Sequence, residues 1–243
     1  MRRIYLPEFS LGKTDLSDAQ GHYLRDILRL SPGDAIEVFD AAGGIGRGSI
    51  SAVRPDRVTI EIARIDPPKP GETHLSVAAA IPKGPRADWM IEKLAELGVE
   101  EFFPLVTERG VVLPKGDKKF DRWRRLAAEA SRQSGRASVM QIHPMIDLPE
   151  LLARPDGAVR WHLSTLREAH PMLELAWPAA LLLLIGPEGG WTDAEISAFD
   201  AAGAIGVRLT PTVLRVETAA VVSAAIAAAG HAALTARRAG ATI

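Results

Sequence analysis

The 243-residue sequence contains no cysteine. That absence excludes disulfides, thiolate zinc sites, iron–sulfur clusters and every mechanism built on a cysteine nucleophile. An excess of either charge is missing too. The 29 Lys and Arg residues stand against 30 Asp and Glu, a net charge of −1, so bulk charge does not separate a nucleic-acid binder from a metabolic enzyme. Neither Gly-x-x-x-x-Gly-Lys-Ser/Thr nor Gly-x-Gly-x-x-Gly occurs, which removes the common glycine-rich phosphate loops. His22, His74, His143, His162, His170 and His231 have no metal-ligand spacing; they read as structural or surface residues, and no metal is expected. No apolar leader opens the sequence, because Pro7 and Glu8 come too early, and a cytoplasmic location is expected. The least charged stretch, 219–234, is mostly alanine, includes Ser223, Gly230 and His231, and is shorter than the about 20 residues of a membrane span. It reads as a buried or interface helix.

What is present suffices for real cores: 47% hydrophobic against 24% charged residues argues for one large or two modest folded domains. The clearest seam is Asp66-Pro67-Pro68-Lys69-Pro70-Gly71, which divides a domain of residues 1–70 from one of 73–243. Upstream, a helical pattern over 17–30 precedes strand patterns at 35–40, 47–53 and 57–65, separated by Pro32-Gly33-Asp34, Ala42-Gly43-Gly44 and Pro55-Asp56. These predict a small β-barrel. Downstream, strands at 75–81, 101–106, 139–142, 159–163, 180–185 and 206–209 alternate with helices at 87–97, 120–134, 148–153, 168–177, 193–202 and 219–234. The alternation predicts an α/β domain whose mostly parallel sheet is covered on both faces, with Leu181-Leu182-Leu183-Leu184-Ile185 as its buried central strand. Sheets of this kind bind ligands in loops beyond the carboxyl ends of their strands.

Three segments carry candidate chemistry. Ile185-Gly186-Pro187-Glu188-Gly189-Gly190 leaves the central strand for a helix, and its glycines let backbone approach a ligand, although a plain turn accounts for them equally well. Thr192 and Glu195 beyond it form a capping box and read as structural. Leu209-Thr210-Pro211-Thr212-Val213-Leu214-Arg215-Val216-Glu217-Thr218-Ala219 again joins a strand to a helix. Glu217 and Thr218 suit a helix start, but Arg215 gains nothing beside the positive end of a helix dipole; it contacts a ligand, RNA or an acidic neighbour such as Glu188. The third segment is a basic helix. Lys115, Lys118, Lys119, Arg122, Arg124, Arg125, Arg132 and Arg136 face only Asp117, Asp121 and Glu129, an excess near +5. Arg125, Arg132 and Arg136 fall close to one helical face, and the arginine enrichment favours phosphate contact over a merely solvated face. Arg2, Arg3, Arg25 and Arg29 form a weaker basic cluster upstream.

Several motifs occur in a fixed order. They are Lys83-Gly84 with Arg86 and Asp88, Glu92-Lys93-Leu94-Ala95-Glu96-Leu97-Gly98-Val99, Glu129-Ala130-Ser131-Arg132-Gln133-Ser134-Gly135-Arg136, the 185–190 glycine loop, and Leu214-Arg215-Val216-Glu217-Thr218-Ala219. Ahead of them stand His22-Tyr23-Leu24-Arg25 and Leu28-Arg29 before Pro32-Gly33-Asp34. Together they resemble the family of ribosomal RNA small subunit methyltransferase E over nearly the whole chain. The resemblance implies a SPOUT enzyme: a PUA-like barrel that helps bind RNA, then an α/β domain with a deep trefoil knot. It implies a homodimer, with the 219–234 helix at the interface, that uses S-adenosylmethionine to methylate N3 of a uridine in 16S rRNA of the 30S subunit. By the same resemblance, Leu163, Ser164, Ile185, Gly186, Pro187, Glu188, Gly189, Gly190, Leu209, Val213, Leu214, Glu217, Thr218 and Ala219 hold the cofactor. RNA contacts fall to Arg2, Arg25, Arg29, Lys83, Arg86, Arg125, Arg132 and Arg136. The chain departs from the family at Leu209-Thr210-Pro211-Thr212, where members commonly read Leu-Gly-x-Arg.

The missing cysteine now narrows the chemistry. Methylating C5 of a pyrimidine requires a thiol adduct, whereas N3 of uracil needs only loss of its proton and a cation to stabilise charge spreading onto the ring oxygens. Arg136 and Arg215 are the candidates for that cation, and Glu188 is either a base or an arginine-positioning partner. Methylation of a ribose 2′-OH or of another base is the alternative; a non-enzymatic RNA binder leaves both Gly/Arg loops unexplained.

Overall fold

The computed structural model describes residues 2–16, 19–40, 44–66, 73–110, 116–136 and 138–238. The 67–71 seam, the Ala42-Gly43 part of one turn and Lys115 lie outside the described residues. The chain divides into two compact units, Met1–Pro70 with Ser131–Val139, and Gly71–Ala130 with Met140–Ile243. Residues 131–139, at the end of the basic segment, therefore fall in the first unit, although they follow the seam in sequence.

The first unit contains β1 (Arg2–Tyr5), β2 (Gly12–Leu16), a short α1 (Ala19–His22), β3 (Ala35–Phe39), β4 (Ile45–Val53) and β5 (Val58–Asp66). The sheet order is β1-β3-β4-β5-β2, with β1 parallel to β3 and the other pairs antiparallel. Val58, Ile60 and Ile62 alternate inward along β5 and meet Ile4, Leu24, Ile36, Val38 and Ile50 in the core. β4 bulges beside Gly48, where a Cβ would stand 1.8 Å from the Glu61 carbonyl oxygen; only glycine fits. The helix expected over 17–30 widens after His22 into a π-helical turn, Tyr23–Ile27, and Arg29 ends it with φ of 52°. β1 and β2 are additions that the sequence pattern did not reveal.

The second unit contains β6 (His74–Ala79), α2 (Pro85–Glu96), β7 (Glu101–Val106), α3 (Asp117–Gln133) except its last three residues, which fall in the first unit, β8 (Gln141–Ile142), β9 (Ile146–Asp147) and α4 (Leu148–Leu152). It continues with β10 (Val159–Leu163), β11 (His170–Pro171), β12 (Ala180–Ile185), α5 (Asp193–Ala201), β13 (Ile205–Arg208) and α6 (Val216–Arg238). All its strand pairs are parallel, in the order β11-β13-β10-β12-β6-β7-β8, with β9 beside β7. Leu181 to Leu184 in β12 are at most 1% exposed, and successive side chains point to opposite faces, so both faces of the central strand are buried. Met90, Ile91 and Leu94 form the buried stripe of α2, and Gly98, at φ of 95°, lets the Val99 N–H return to the Leu94 carbonyl.

Two expectations need correction. No helix spans 168–177; Pro171 forces His170 into extended backbone, so His170–Pro171 pairs with β13, and only a 3₁₀ turn, Met172–Glu174, follows. The alanine-rich helix is longer than 219–234: α6 has 23 residues and is long and apolar enough to cross a membrane. In the fold it packs on α2, β6 and β12. Gly230 lies against the Trp177 ring.

Candidate active site

β13, β10 and β12 are adjacent and parallel, so the loops that leave their carboxyl ends meet. They enclose a cavity of about 360 Å³ lined by residues 163–166, 185–191, Ile196, Leu209, Thr210, Thr212, Val213, Leu214, Val216 and Ala219. The walls are held by specific bonds. Ser164 N–H donates to the Val207 carbonyl (2.8 Å), and the Trp191 Nε1–H donates to the Leu163 carbonyl (2.9 Å), tying two loops together. Gly190, at φ of 70°, closes a turn through its N–H to the Pro187 carbonyl (2.9 Å). Gly186 is where the chain must have no side chain: a Cβ would come within 2.9 Å of the Trp191 indole. The Trp191 ring meets Phe199 edge-on, and Phe199 stacks on His162 at 4.3 Å, so aromatic packing supports the loop from beneath. Burial lowers the His162 pKa, which favours the neutral ring.

Of the residues expected to hold a cofactor, Leu163, Ser164, Ile185, Gly186, Pro187, Glu188, Gly189, Gly190, Leu209, Val213, Leu214 and Ala219 line this one cavity. Glu217 and Thr218 do not. Glu217 is buried in the first turn of α6 and its Oε1 pairs with Arg86 Nη1 at 3.4 Å. Two residues read as ligand contacts thus engage each other, while Oε2 of Glu217 is buried without a hydrogen bond. Arg215 is exposed between the lining residues Leu214 and Val216, and among the described residues it forms no ion pair with Glu188. Thr192 and Glu195 form the expected capping box at the start of α5. Residues the sequence reading passed over include Trp191, read only as a neighbour of the cap, and Arg109, whose Nη1 donates to the Gly189 (2.8 Å) and Trp191 (3.2 Å) carbonyls. No motif marks Arg109; its partners are 80 and 82 residues away.

Most of the basic residues are engaged by other groups of the protein. Arg132 lies over the Tyr23 ring at 4.8 Å and donates to its hydroxyl at 2.6 Å, and Arg3 donates to the Gly135 carbonyl. The upstream cluster and the end of the basic segment therefore belong to one unit. Arg136 reaches Ser138 Oγ at 3.5 Å, and Arg25 is held by Asp26 and by the Arg54 and Pro55 carbonyls. Arg125 bonds the Asp121 carbonyl; Lys119 and Arg122 converge on Asp88 at 3.0 and 2.7 Å. Arg2, Arg29 and Lys83 are exposed.

A second ionisable cluster sits at the amino ends of β6 and β7. His74 bonds Glu100 and Glu101 at 3.0 Å each, and His143 bonds Glu101 at 2.9 Å. Glu100 and Glu101 raise the His74 pKa to about 10, and the bonds from His143 and His74 hold Glu101 well below the usual carboxylate range. This cluster is at the opposite end of the strands from the cavity.

Comparison with known proteins assigns the two parts. Residues 69–228 match the RNA methyltransferase domain and residues 16–63 the RNA methyltransferase PUA domain. The ribosomal RNA small subunit methyltransferase E of Synechocystis is 32% identical over 231 residues, 92% of this chain and 76% of that protein. Its Mycobacterium bovis namesake is 31% identical, covering 84% of this chain and 81% of the relative. A solved ribosomal RNA small subunit methyltransferase E from Neisseria gonorrhoeae, bound to S-adenosyl methionine, superposes with a TM-score of 0.81 at 31% identity, covering 93% of this chain and 96% of that one. The resemblance carried by the motifs is thus borne out: the chain belongs to the ribosomal RNA small subunit methyltransferase E family.

Proposed function

We propose that the protein transfers a methyl group from S-adenosylmethionine to N3 of a uridine in 16S rRNA, within or on the way to the 30S subunit. The observation that carries this reading is the convergence of three strand-end loops on one cavity. Its volume, about 360 Å³, falls within the roughly 300–1,000 Å³ usual for small-molecule sites, and its lining combines leucines with open glycine backbone, which suits an adenosyl group. Bound there, S-adenosylmethionine supplies an electrophilic methyl group. The residues of the 163–166 and 185–191 stretches, with Leu209, Thr210, Thr212, Val213, Leu214, Val216 and Ala219, would hold and orient it.

Arg215 lies at the cavity and has no acidic partner among the described residues, so its charge is available to stabilise negative charge on the uracil oxygens once N3 has lost its proton. Glu188 lines the cavity and is exposed, as a base or a substrate-positioning group requires. The first unit, a PUA-like barrel in this reading, would bind RNA through Arg2, Arg25, Arg29, Arg132 and Arg136, and the RNA contacts of the second unit would be Lys83, Arg86 and Arg125. A trefoil knot in the SPOUT domain is supported by the strand order: β11 and β13 lie on one side of β10 and β12 on the other, so the chain passes β10 from β11 to β12 and again from β12 to β13. A homodimer through α6 would cover the apolar side chains that the helix leaves half-buried or exposed between Thr218 and Leu234.

Mapping methylated nucleotides in 16S rRNA from cells with and without the protein tests the reading. One N3-methyluridine is expected to vanish and to return with the wild-type gene, but not with Arg215→Ala, whose loss of turnover is expected to be on the order of 10²-fold. Loss of a 2′-O-methyl group or of another methylated base instead overturns the assigned atom.

A further inference from the structure

A loop with three glycines has unusual backbone freedom, so a cavity wall built from it needs outside support. Two peptide groups of the 186–191 loop are held at both ends. In the Gly189–Gly190 peptide, the carbonyl accepts from Arg109 Nη1 at 2.8 Å while the N–H donates to the Pro187 carbonyl at 2.9 Å. In the Trp191–Thr192 peptide, the carbonyl accepts from the same Nη1 at 3.2 Å and the N–H donates to Glu195 Oε2 at 2.8 Å. The other Glu195 oxygen accepts from the Glu108 N–H at 3.1 Å, which joins the two supports. Gly189 also gives the arginine stem its path, since a Cβ there would stand 3.2 Å from Cβ of Arg109.

We propose that Arg109 is a positioning residue for the cofactor cavity, fixing the glycine loop from its outer side, with Glu195 completing the brace. It touches no reacting atom; it acts through the orientation of the Gly189 and Trp191 carbonyls. The inference rests on the reading of the cavity as the S-adenosylmethionine site.

Arg109→Met keeps most of the stem and removes the donors, Arg109→Lys keeps one donor, and Glu195→Gln keeps the shape of the cap. With S-adenosylmethionine as the calorimetric probe, Arg109→Met is expected to raise Kd about tenfold, or 1.4 kcal/mol, and the cofactor KM by the same factor. Its kcat at saturating cofactor is expected to stay within about twofold of wild type, since uniform binding moves KM alone. Arg109→Lys recovers part of the affinity. Amide exchange, read without cofactor, gives an independent measure: the Gly190 and Thr192 N–H groups exchange faster in Arg109→Met, and that of Thr192 in Glu195→Gln. Wild-type Kd and unchanged exchange in Arg109→Met overturn the proposal, as does a loss confined to kcat. If the wild type itself takes up no S-adenosylmethionine, the reading of the cavity fails while the exchange data still decide the brace.

Discussion

Trp191 shows why single residues of the site were only half legible. The glycines around it are visible as letters, but the reason for Gly186 is an indole five residues on, bonded to Leu163 and packed on Phe199. Gly186→Ala would place a Cβ 2.9 Å from that ring, and the ring cannot swing aside without giving up the Leu163 bond. The expected cost is about 1–3 kcal/mol of stability. Weaker S-adenosylmethionine uptake should accompany it, measured by thermal denaturation and calorimetry on the same sample; unchanged values in both would refute this account of Gly186. Glu217 and Arg86 illustrate the complementary limit. Each has a side chain suited to a ligand, and nothing in the sequence indicates that they pair across 131 residues. The capping box Thr192–Glu195, by contrast, was legible because its partners are three residues apart.

Among elements, long periodic or uniformly apolar segments were legible and short ones were not. The leucine run of β12 and the stripe of α2 declare themselves, since burial on two faces or one leaves a direct trace in composition. β1 has four residues and β11 two, too few for any period to show, and β11 counts as a strand only through its pairing with β13. In α6 the informative residue is Gly230. Within a helix, replacing glycine by alanine ordinarily gains about 1 kcal/mol. Here a Cβ would lie 2.2 Å from the Trp177 ring, which itself packs against Trp161 at 5.4 Å. Overpacking of this kind costs about 1–3 kcal/mol, so Gly230→Ala is expected to lower Tm despite its better helix propensity. A double variant, Gly230→Ala with Trp177→Ala, should lose the clash term, and a higher Tm in the single variant would show that the ring is free to move.

On the scale of the second unit, the parallel sheet separates two kinds of chemistry. Its carboxyl ends carry the loops of the cavity, and its amino ends carry the His74–Glu100–Glu101–His143 cluster, with Arg154 3.8 Å from Glu101. Stability and ligand binding should therefore respond differently to pH. Glu101 titrates below its ordinary value, so its contribution is present above about 4.5 and is lost as acid protonates it. His74 titrates near 10 instead of 6.5, so its contribution is complete below about 6.5 and fades as pH rises through 10. The His74 side chain is 39% exposed, and solvent screening keeps the effect modest. With about 2–4 °C per kcal/mol for a chain of this size, Tm is expected to fall by a few degrees between neutral pH and pH 10. His74→Gln should lower Tm at pH 6 and flatten that alkaline slope, while leaving the S-adenosylmethionine Kd at neutral pH within about twofold of wild type, below about 0.4 kcal/mol. An alkaline slope in His74→Gln equal to the wild-type slope would assign the pH dependence to other groups, and a tenfold change in Kd would mean that the two ends of the sheet are energetically coupled.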